Sequence, residues 1–142
     1  MSSEVFLYTK INQLGTKPKK YLELAKNIAH QSVYGKFRHG AVLVRGGHIV
    51  NTCHNKNRHC SFGNKFRDRH NGHATLHAEL GCVLGLDRKI TTGTTMYVVR
   101  VNRSSEFMMS KPCHMCHDVL KHCGVKKVVY TINEKEVGVI KL

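Results

Sequence analysis

The chain has 142 residues, a length that suits one domain and excludes two domains of ordinary size. Hydrophobic residues make up 41% of the sequence, which is enough for a core and excludes wholesale disorder. Lysine and arginine number 23 against 9 aspartate and glutamate residues, and the formal net charge of +14 favours partners that carry phosphate, such as nucleotides, nucleic acid or anionic lipid.

The hydropathy pattern predicts a protein that neither spans nor binds a membrane. No stretch approaches the roughly 20 apolar residues that a membrane-spanning helix needs. The first ten residues, MSSEVFLYTK, lack the charged region and the apolar run of a signal peptide. We therefore expect a soluble, cytoplasmic protein. In such a reducing compartment, the 6 cysteines and 11 histidines indicate metal binding or catalysis before disulfides.

Hydrophobic periodicity and glycine positions predict three helices and five strands after a loose lead-in over residues 1–20. We therefore divide the chain into this lead-in and a single domain over residues 21–142. The predicted helices span residues 21–32, 76–86 and 112–123, and the predicted strands span residues 41–44, 48–52, 94–99, 128–132 and 137–140. Gly46-Gly47 joins the first two strands as a two-residue hairpin. The polar, basic segment 53–72 is predicted to be a long loop, a feature that is usually functional or mobile.

The order of these elements predicts an α/β fold. Strands that alternate with helices form a sheet covered on both faces, so we expect three layers, α/β/α, around a mixed sheet of five strands. Only four residues, 133–136, separate the last two strands, whereas a parallel crossover needs a dozen or more. The last two strands are therefore predicted to pair as an antiparallel hairpin.

The strongest functional signal is HAE at 77–79 followed by PCHMC at 112–116. Cys113 and Cys116 are three residues apart at a predicted helix start, so their side chains share one face of the helix. The helix dipole at that end favours thiolate over thiol. Together with His77 they provide three ligands that suit tetrahedral Zn²⁺ with one open position for water, which is the pattern of a catalytic site.

Glu79 lies two residues after His77, and residues so spaced do not share a helix face. Both side chains can still reach one ion that lies just beyond the helix N-terminus. Glu79 is then free to move protons near a water whose pKa zinc lowers to about 7. A lone C-x-x-C also fits a redox pair or half of a structural zinc site, and a lone H-A-E also arises by chance. The two segments together, each opening a predicted helix, favour catalytic zinc.

Over about residues 21–132 the sequence resembles the cytidine and deoxycytidylate deaminase superfamily, whose signature is H-x-E followed by P-C-x-x-C. The likeness includes GAVLV at 40–44, the Gly-Gly hairpin, Asn55 and GVKKVVY at 124–130. It is greatest for deoxycytidylate deaminases, including viral ones. The resemblance implies the cytidine-deaminase-like fold and a zinc-dependent hydrolase. Lys111 departs from the pattern, because other branches carry different residues before the proline.

The resemblance also implies the roles of individual residues. Glu79 would take a proton from the attacking water and deliver it to N3 of cytosine, with uracil and ammonia as products. The backbone of Ala78 would contact the base, and Asn55 would contact the sugar. The resemblance to the deoxycytidylate branch further implies a homo-oligomer and control by dCTP or dTTP.

The sequence leaves the form of the substrate open. We favour a nucleotide of pyrimidine metabolism, dCMP or secondarily dCTP, with Lys36, Arg38 and parts of the 53–72 segment binding its phosphate. A cytosine or adenine deaminase that acts on RNA or single-stranded DNA is the alternative. Single strands normally bind through exposed aromatic residues, and only 7% of this chain is aromatic, with no tryptophan. A non-catalytic zinc module that binds nucleic acid is a third interpretation, and Glu79 argues against it.

The loop over residues 53–72 raises the hypothesis of a second, structural zinc site. The candidate ligands are Cys53, His54, His59, Cys60, His70 and His73. The competing interpretation is that these are free thiols and polar histidines of a loop. The remaining cysteines, Cys82 and Cys123, fall within predicted helices and are expected to be small core residues.

Overall fold

The computed structural model describes residues 5–35, 37–59 and 75–142. Its strands are β1 (Val5–Lys10), β2 (Arg38–Arg45), β3 (His48–His54), β4 (Lys56–His59), β5 (Thr75–Leu76), β6 (Thr95–Val101), β7 (Phe107–Met108), β8 (Lys127–Thr131) and β9 (Glu136–Lys141). Its α-helices are α1 (Thr16–Ala29), α2 (Ala78–Val83), α3 (Arg88–Thr91) and α4 (His114–His122). Among the helices of these residues, none has the length and apolar character needed to cross a membrane.

Within the described residues, seven strands form one mixed sheet in the order β1-β9-β8-β6-β2-β3, with β7 paired to β6. β6 and β8 run parallel, with Met96 opposite Val128, and the other neighbours run antiparallel. The predicted α/β fold is confirmed. The antiparallel hairpin of the last two strands is confirmed as well, with Val129 of β8 opposite Val139 of β9. The count of five strands is wrong, because β1 and β7 extend the sheet.

The edge strand β1 shows that a loose lead-in over residues 1–20 is wrong for Val5–Lys10. These residues pair with the whole length of β9, with Leu7 opposite Val139. α1 then begins at Thr16, five residues before the predicted start. The pairing partner lies more than 120 residues away along the chain, and a local hydrophobic pattern carries no record of such a partner.

Helices cover both faces of the sheet because neighbouring side chains of a strand point to opposite faces. Ala41 of β2 packs in one core cluster with Leu80 of α2 and Leu120 of α4. The next residue, Val42, packs in a second cluster with Leu22 of α1. The predicted three-layer α/β/α arrangement follows from these two clusters, and it leaves the N-termini of α2 and α4 on the same side of the sheet.

Gly40 allows the backbone of α1 to approach β2 very closely. A Cβ atom at position 40 would lie 2.1 Å from the carbonyl oxygen of Ala25 and 2.7 Å from the backbone nitrogen of Ala29. Because both are backbone atoms, no side-chain rotation can relieve the overlap. We expect Gly40→Ala to lower the free energy of unfolding by about 3 kcal/mol, as measured by urea denaturation.

Gly15→Ala is the matched control for this prediction. A Cβ atom at position 15 would meet only the Cδ atom of Pro18, at 3.6 Å. Gly15 is the N-cap of α1, so its replacement by alanine should cost no more than about 1 kcal/mol. Equal losses in the two variants would show that the contact between α1 and β2 is not as tight as described.

The two segments predicted least well flank the candidate site. The predicted loop over 53–72 contains the end of β3 and all of β4, which pairs with β5. The helix predicted over 76–86 is limited to α2, because Leu76 belongs to β5 and the chain turns at Gly85 with a φ of +80°. The short helix α3 follows, capped by the Asp87 side chain, which accepts a hydrogen bond of 2.8 Å from the Lys89 N–H.

Candidate active site

The starts of α2 and α4 hold the residues of the two sequence motifs. His77 immediately precedes α2 and Cys113 immediately precedes α4, and both have extended backbone, with ψ of 156° and 168°. Neither side chain caps its own helix. Cys116 lies in the first turn of α4, on the same face as Cys113. Each helix start therefore offers its side chains to a point beyond its N-terminus.

His77, Cys113 and Cys116 meet at that point, with their ligand atoms all within 4.8 Å of one another. The Nδ1 atom of His77 lies 3.2 Å from the Sγ atom of Cys116 and 3.7 Å from that of Cys113. Zinc bonds of standard length at a tetrahedral angle place a nitrogen and a sulfur about 3.6 Å apart. The donor set and its spacing therefore fit zinc. The part of the chain that the structure describes contains no second cluster of this kind.

Hydrogen bonds within the cluster distinguish the two thiols. A hydrogen bond from Cys116, aided by one from His77, lowers the pKa of Cys113 to about 4. The same bond to Cys113, together with burial, raises the pKa of Cys116 well above its usual value. The hydrogen bond with Cys113 raises the pKa of His77. Cys113 is thus a thiolate at neutral pH, and the thiolate is the form of cysteine that binds metal.

Glu79 lies beside the cluster as a buried carboxylate. It is in the first turn of α2, with 4% of its surface exposed. A hydrogen bond joins it to Cys116, and its charge acts on His77 and His39. Glu79 is not one of the three clustered ligands. It is therefore placed to exchange protons with a molecule that reaches the cluster.

A cavity of about 480 Å³ opens onto Glu79 and the cluster. Its lining residues are Tyr34, Phe37, His39, Asn55, Lys56, Leu76, His77, Ala78, Glu79, Lys111 and Cys113. The volume is in the range of small-molecule sites in proteins. Of the residues predicted from the sequence, the cavity brings together Asn55, Ala78 and Glu79 with two of the three cluster ligands. The third ligand, Cys116, is fully buried.

Asn55 holds the backbone of Phe37 and His39, two residues that line this cavity. Its Oδ1 atom accepts a hydrogen bond of 3.0 Å from the N–H of His39, and its Nδ2 donates one of 2.9 Å to the carbonyl of Phe37. The Nδ1 atom of His39 lies 3.2 Å from the same carbonyl. Because a carbonyl only accepts, Nδ1 carries the proton. Burial lowers the pKa of His39 and favours the neutral ring, which leaves Nε2 as an acceptor.

Phe37 offers an aromatic surface at the cavity. The Phe37 side chain is 48% exposed. The guanidinium carbon of Arg100 lies 4.5 Å from the ring centroid, a cation–π arrangement that steadies the ring. His39 and Arg100 are opposite each other in the pairing of β2 with β6. Arg100, a residue of β6, therefore contacts the ring, and Asn55 holds the backbone of Phe37.

Of the two residues named as phosphate ligands, only Arg38 belongs to the described part of the chain. Lys36 lies outside the described residues. Arg38, the first residue of β2, is partly buried and is not among the lining residues. Its Nε atom is buried with no hydrogen-bond partner among the described residues. Arg38 and His39 are consecutive in a strand, so their side chains point to opposite faces, and it is His39 that lines the cavity.

Of the six candidate ligands of the second zinc site, Cys60, His70 and His73 lie outside the described residues. His59 is the last residue of β4. Cys53 and His54 belong to β3, where the Sγ atom of Cys53 lies 3.3 Å from the carbonyl oxygen of His54. Cys82 is fully buried in the core, as predicted.

Six lining residues were not assigned individually to the site by sequence analysis: Tyr34, Phe37, His39, Lys56, Leu76 and Lys111. Lys56 follows Asn55 directly, and Lys111 precedes Pro112 directly. Their position next to motif residues was the available signal. His39 carried no such signal, because its place in the cavity depends on the pairing of β2 with β6.

Residues 16–132 match the family described as the cytidine and deoxycytidylate deaminase zinc-binding region. The chain belongs to this deaminase family. The match covers both motif segments and the whole cluster of His77, Cys113 and Cys116. The sequence-based resemblance is therefore confirmed, and the zinc-binding region of the family coincides with the site that the geometry identifies.

Solved structures share the fold of this member of the deaminase family. The dCMP deaminase of cyanophage S-TIM5 in apo form aligns with a TM-score of 0.59 and 22% identity, over 84% of this chain and 86% of that one. The structure of the same enzyme with dCMP and dUMP aligns with a TM-score of 0.56 and 20% identity, over 83% of each chain. RibD of Acinetobacter baumannii aligns with a TM-score of 0.52 and 18% identity, over 82% of this chain and 28% of the RibD chain. No curated protein matches the chain.

Proposed function

We propose that the protein is a zinc-dependent hydrolase that deaminates a deoxycytidine nucleotide, converting dCMP to dUMP and ammonia, with dCTP as a second candidate. The observation that carries this proposal is the buried Glu79 beside the cluster of His77, Cys113 and Cys116, at a cavity of small-molecule size. Membership of the deaminase family supports the reaction. The similarity of the fold to a phage dCMP deaminase supports the substrate.

His77, Cys113 and Cys116 would hold the zinc ion. Three protein ligands are the number that catalytic zinc sites use, and they leave one position open. When bound, zinc supplies a water whose pKa is near 7. The thiolate character of Cys113 prepares the site for the ion, because a cysteine must lose its proton to bind metal.

Glu79 would perform the proton transfers. Its carboxylate accepts a proton from the attacking water and gives it to N3 of the cytosine ring, and the water oxygen bonds to C4. Glu79 then takes the proton of the new C4 hydroxyl and delivers it to the amine, so that the C4–N bond breaks, ammonia leaves and C4 becomes a carbonyl. The burial of Glu79 keeps bulk water from competing for these protons. General acid–base catalysis of this kind needs such a group within hydrogen-bond reach of the reacting atoms.

Ala78 and Asn55 would orient the nucleoside. Ala78 is the first residue of α2, and the first N–H groups of a helix have no acceptor within the helix. The Ala78 N–H can therefore donate to an acceptor atom of the base. Asn55 uses one amide hydrogen on the carbonyl of Phe37 and keeps the other for a sugar hydroxyl. Formation of a homo-oligomer and control by dCTP or dTTP stay predictions.

One observation favours a second candidate, a cytosine or adenine deaminase that acts on RNA or single-stranded DNA. Phe37 is half exposed at the cavity and has Arg100 against its ring. An aromatic face of this kind can stack on a neighbouring base of a single strand. This candidate predicts binding to oligonucleotides that weakens steeply with salt, and no turnover of free nucleotides.

A substrate panel tests the proposed function. Cytosine, cytidine, deoxycytidine, CMP, dCMP, dCTP and a short single-stranded DNA are each scored by ammonia release. We expect the highest kcat/KM with dCMP, because contacts to its base, sugar and phosphate all stabilise the transition state. Turnover of the DNA without turnover of any free nucleotide would establish the second candidate in place of the first.

A further inference from the structure

Lys56 and Lys111 bring positive charge to the cavity from two separate segments. Lys56 is the first residue of β4 and directly follows Asn55. Lys111 lies two residues before Cys113, at the other motif. Both lysines line the cavity, and both are exposed to solvent. Asn55, next to Lys56, forms a hydrogen bond with Phe37, and Cys113, two residues after Lys111, forms one with His77. These bonds anchor the backbone near each ammonium group.

The negative and positive charges of the lining residues lie at different depths in the cavity. Glu79 is the one carboxylate among the described residues of the lining, and it is buried beside the thiols. The two ammonium groups belong to exposed residues. The exposed part of the cavity is therefore cationic. A ligand that complements it carries a neutral group for the deep end and an anionic group for the exposed end.

A nucleoside monophosphate has this distribution of charge. Its base is neutral, and its phosphate monoester carries a charge between about −1.5 and −2 near neutral pH. If the base reaches Glu79 and the sugar lies at Asn55, the phosphate is left for the lysine beside Asn55. Lys111 is an exposed residue of the same lining and supplies the second ammonium group. Two ammonium groups match the charge of a monoester more fully than that of a diester, which carries one negative charge.

We propose that Lys56 and Lys111 bind the substrate phosphate and make the enzyme select nucleotides over nucleosides. The inference rests on the proposed function and deepens it. It moves phosphate recognition away from Arg38, which does not line the cavity. The shared chemistry is a phosphate group, and the free nucleotide is its source here. A polynucleotide backbone is the other source, and the experiment separates the two.

Removal of the two charges tests the inference. Glutamine replaces lysine in the variants Lys56→Gln and Lys111→Gln and in the double variant, because it keeps a polar stem and lacks the charge. Each single change should lower kcat/KM for dCMP about tenfold and the double change about 100-fold, since each removes one charge-assisted hydrogen bond. Deamination of deoxycytidine, which has no phosphate, should stay within about twofold of the wild type.

Lys126→Gln is the matched control, because Lys126 is exposed and does not line the cavity. It should leave both reactions unchanged. Equal losses for dCMP and deoxycytidine in the double variant, or no loss for either, would overturn the inference while deamination itself stands. A larger loss on single-stranded DNA than on dCMP would overturn the assignment to a free nucleotide.

A binding measurement separates failure of this inference from failure of the proposed function. Calorimetric titration of dCMP and of deoxycytidine into zinc-loaded Glu79→Gln protein needs no turnover. We expect dCMP to bind more tightly than deoxycytidine, and we expect that advantage to disappear when Lys56→Gln and Lys111→Gln are added. If no compound is deaminated by the wild type, the proposed function fails, and this titration still decides the role of the lysines. An advantage that persists without the lysines refutes their role.

Discussion

The Glu79→Gln variant is expected to keep its zinc and to release ammonia about 10² to 10⁴ times more slowly than the wild type. Glutamine has nearly the same shape as glutamate, so it fits the buried position in the first turn of α2. It cannot accept the proton of the attacking water or return a proton to the leaving amine. Ammonia release and zinc content are measured on the same preparation, which separates loss of proton transfer from loss of the metal.

Glu23→Gln is the control for this comparison. Glu23 is an exposed residue of α1 and does not line the cavity. Its replacement should leave turnover and zinc content unchanged. Turnover near the wild-type rate in Glu79→Gln protein would remove Glu79 from the mechanism. Loss of zinc in that variant would instead show that the carboxylate helps to hold the ion, contrary to its position outside the three-ligand cluster.

The Cys113→Ala variant is expected to lose the zinc of the cluster and with it all measurable deamination. Cys113 is the more exposed of the two cysteines and the one that is already ionised at neutral pH. Its removal takes away one of three protein ligands and leaves an incomplete site. Zinc content after dialysis should fall by one ion per chain. The thermal stabilisation that zinc gives the wild type should fall with it, since a ligand stabilises only the state that binds it.

Cys123→Ser serves as the control for the loss of zinc. Cys123 is a partly buried cysteine that packs against the core and is outside the cluster. This variant should keep the zinc content of the wild type. If the wild type holds two ions and Cys113→Ala retains one, the residual ion belongs to the second site predicted from Cys53, His54 and their neighbours. Full zinc content in Cys113→Ala protein would contradict the assignment of the cluster.

The sequence predicted the cluster of His77, Cys113 and Cys116 because much of its arrangement is local. His77 and Cys113 each precede a helix, and Cys116 is one turn into α4. Motif spacing and helix-start signals were therefore enough to place the side chains of each motif relative to its own helix. The two motifs are far apart in the sequence, and the fold, in which β6 and β8 pair in parallel, brings them together.

The residues that line the rest of the cavity could not be predicted in the same way. Arg38 and His39 are adjacent in sequence, and the side-chain alternation of β2 decides which of them lines the cavity. The pairing of β2 with β6 sets that register and also places Arg100 next to His39. β1 was missed for a related reason, because an edge strand gains its hydrogen bonds from a distant segment. Such features depend on tertiary contacts and not on local spacing.

X-ray absorption at the zinc edge, on protein loaded with one zinc ion per chain, tests the central claim most directly. We predict a four-coordinate ion with two sulfurs at about 2.3 Å and two lighter atoms at about 2.0–2.1 Å, one an imidazole nitrogen and the other a solvent oxygen. A shell with three or more sulfurs, with no sulfur, or with two imidazoles would contradict a site that His77, Cys113 and Cys116 leave open for water.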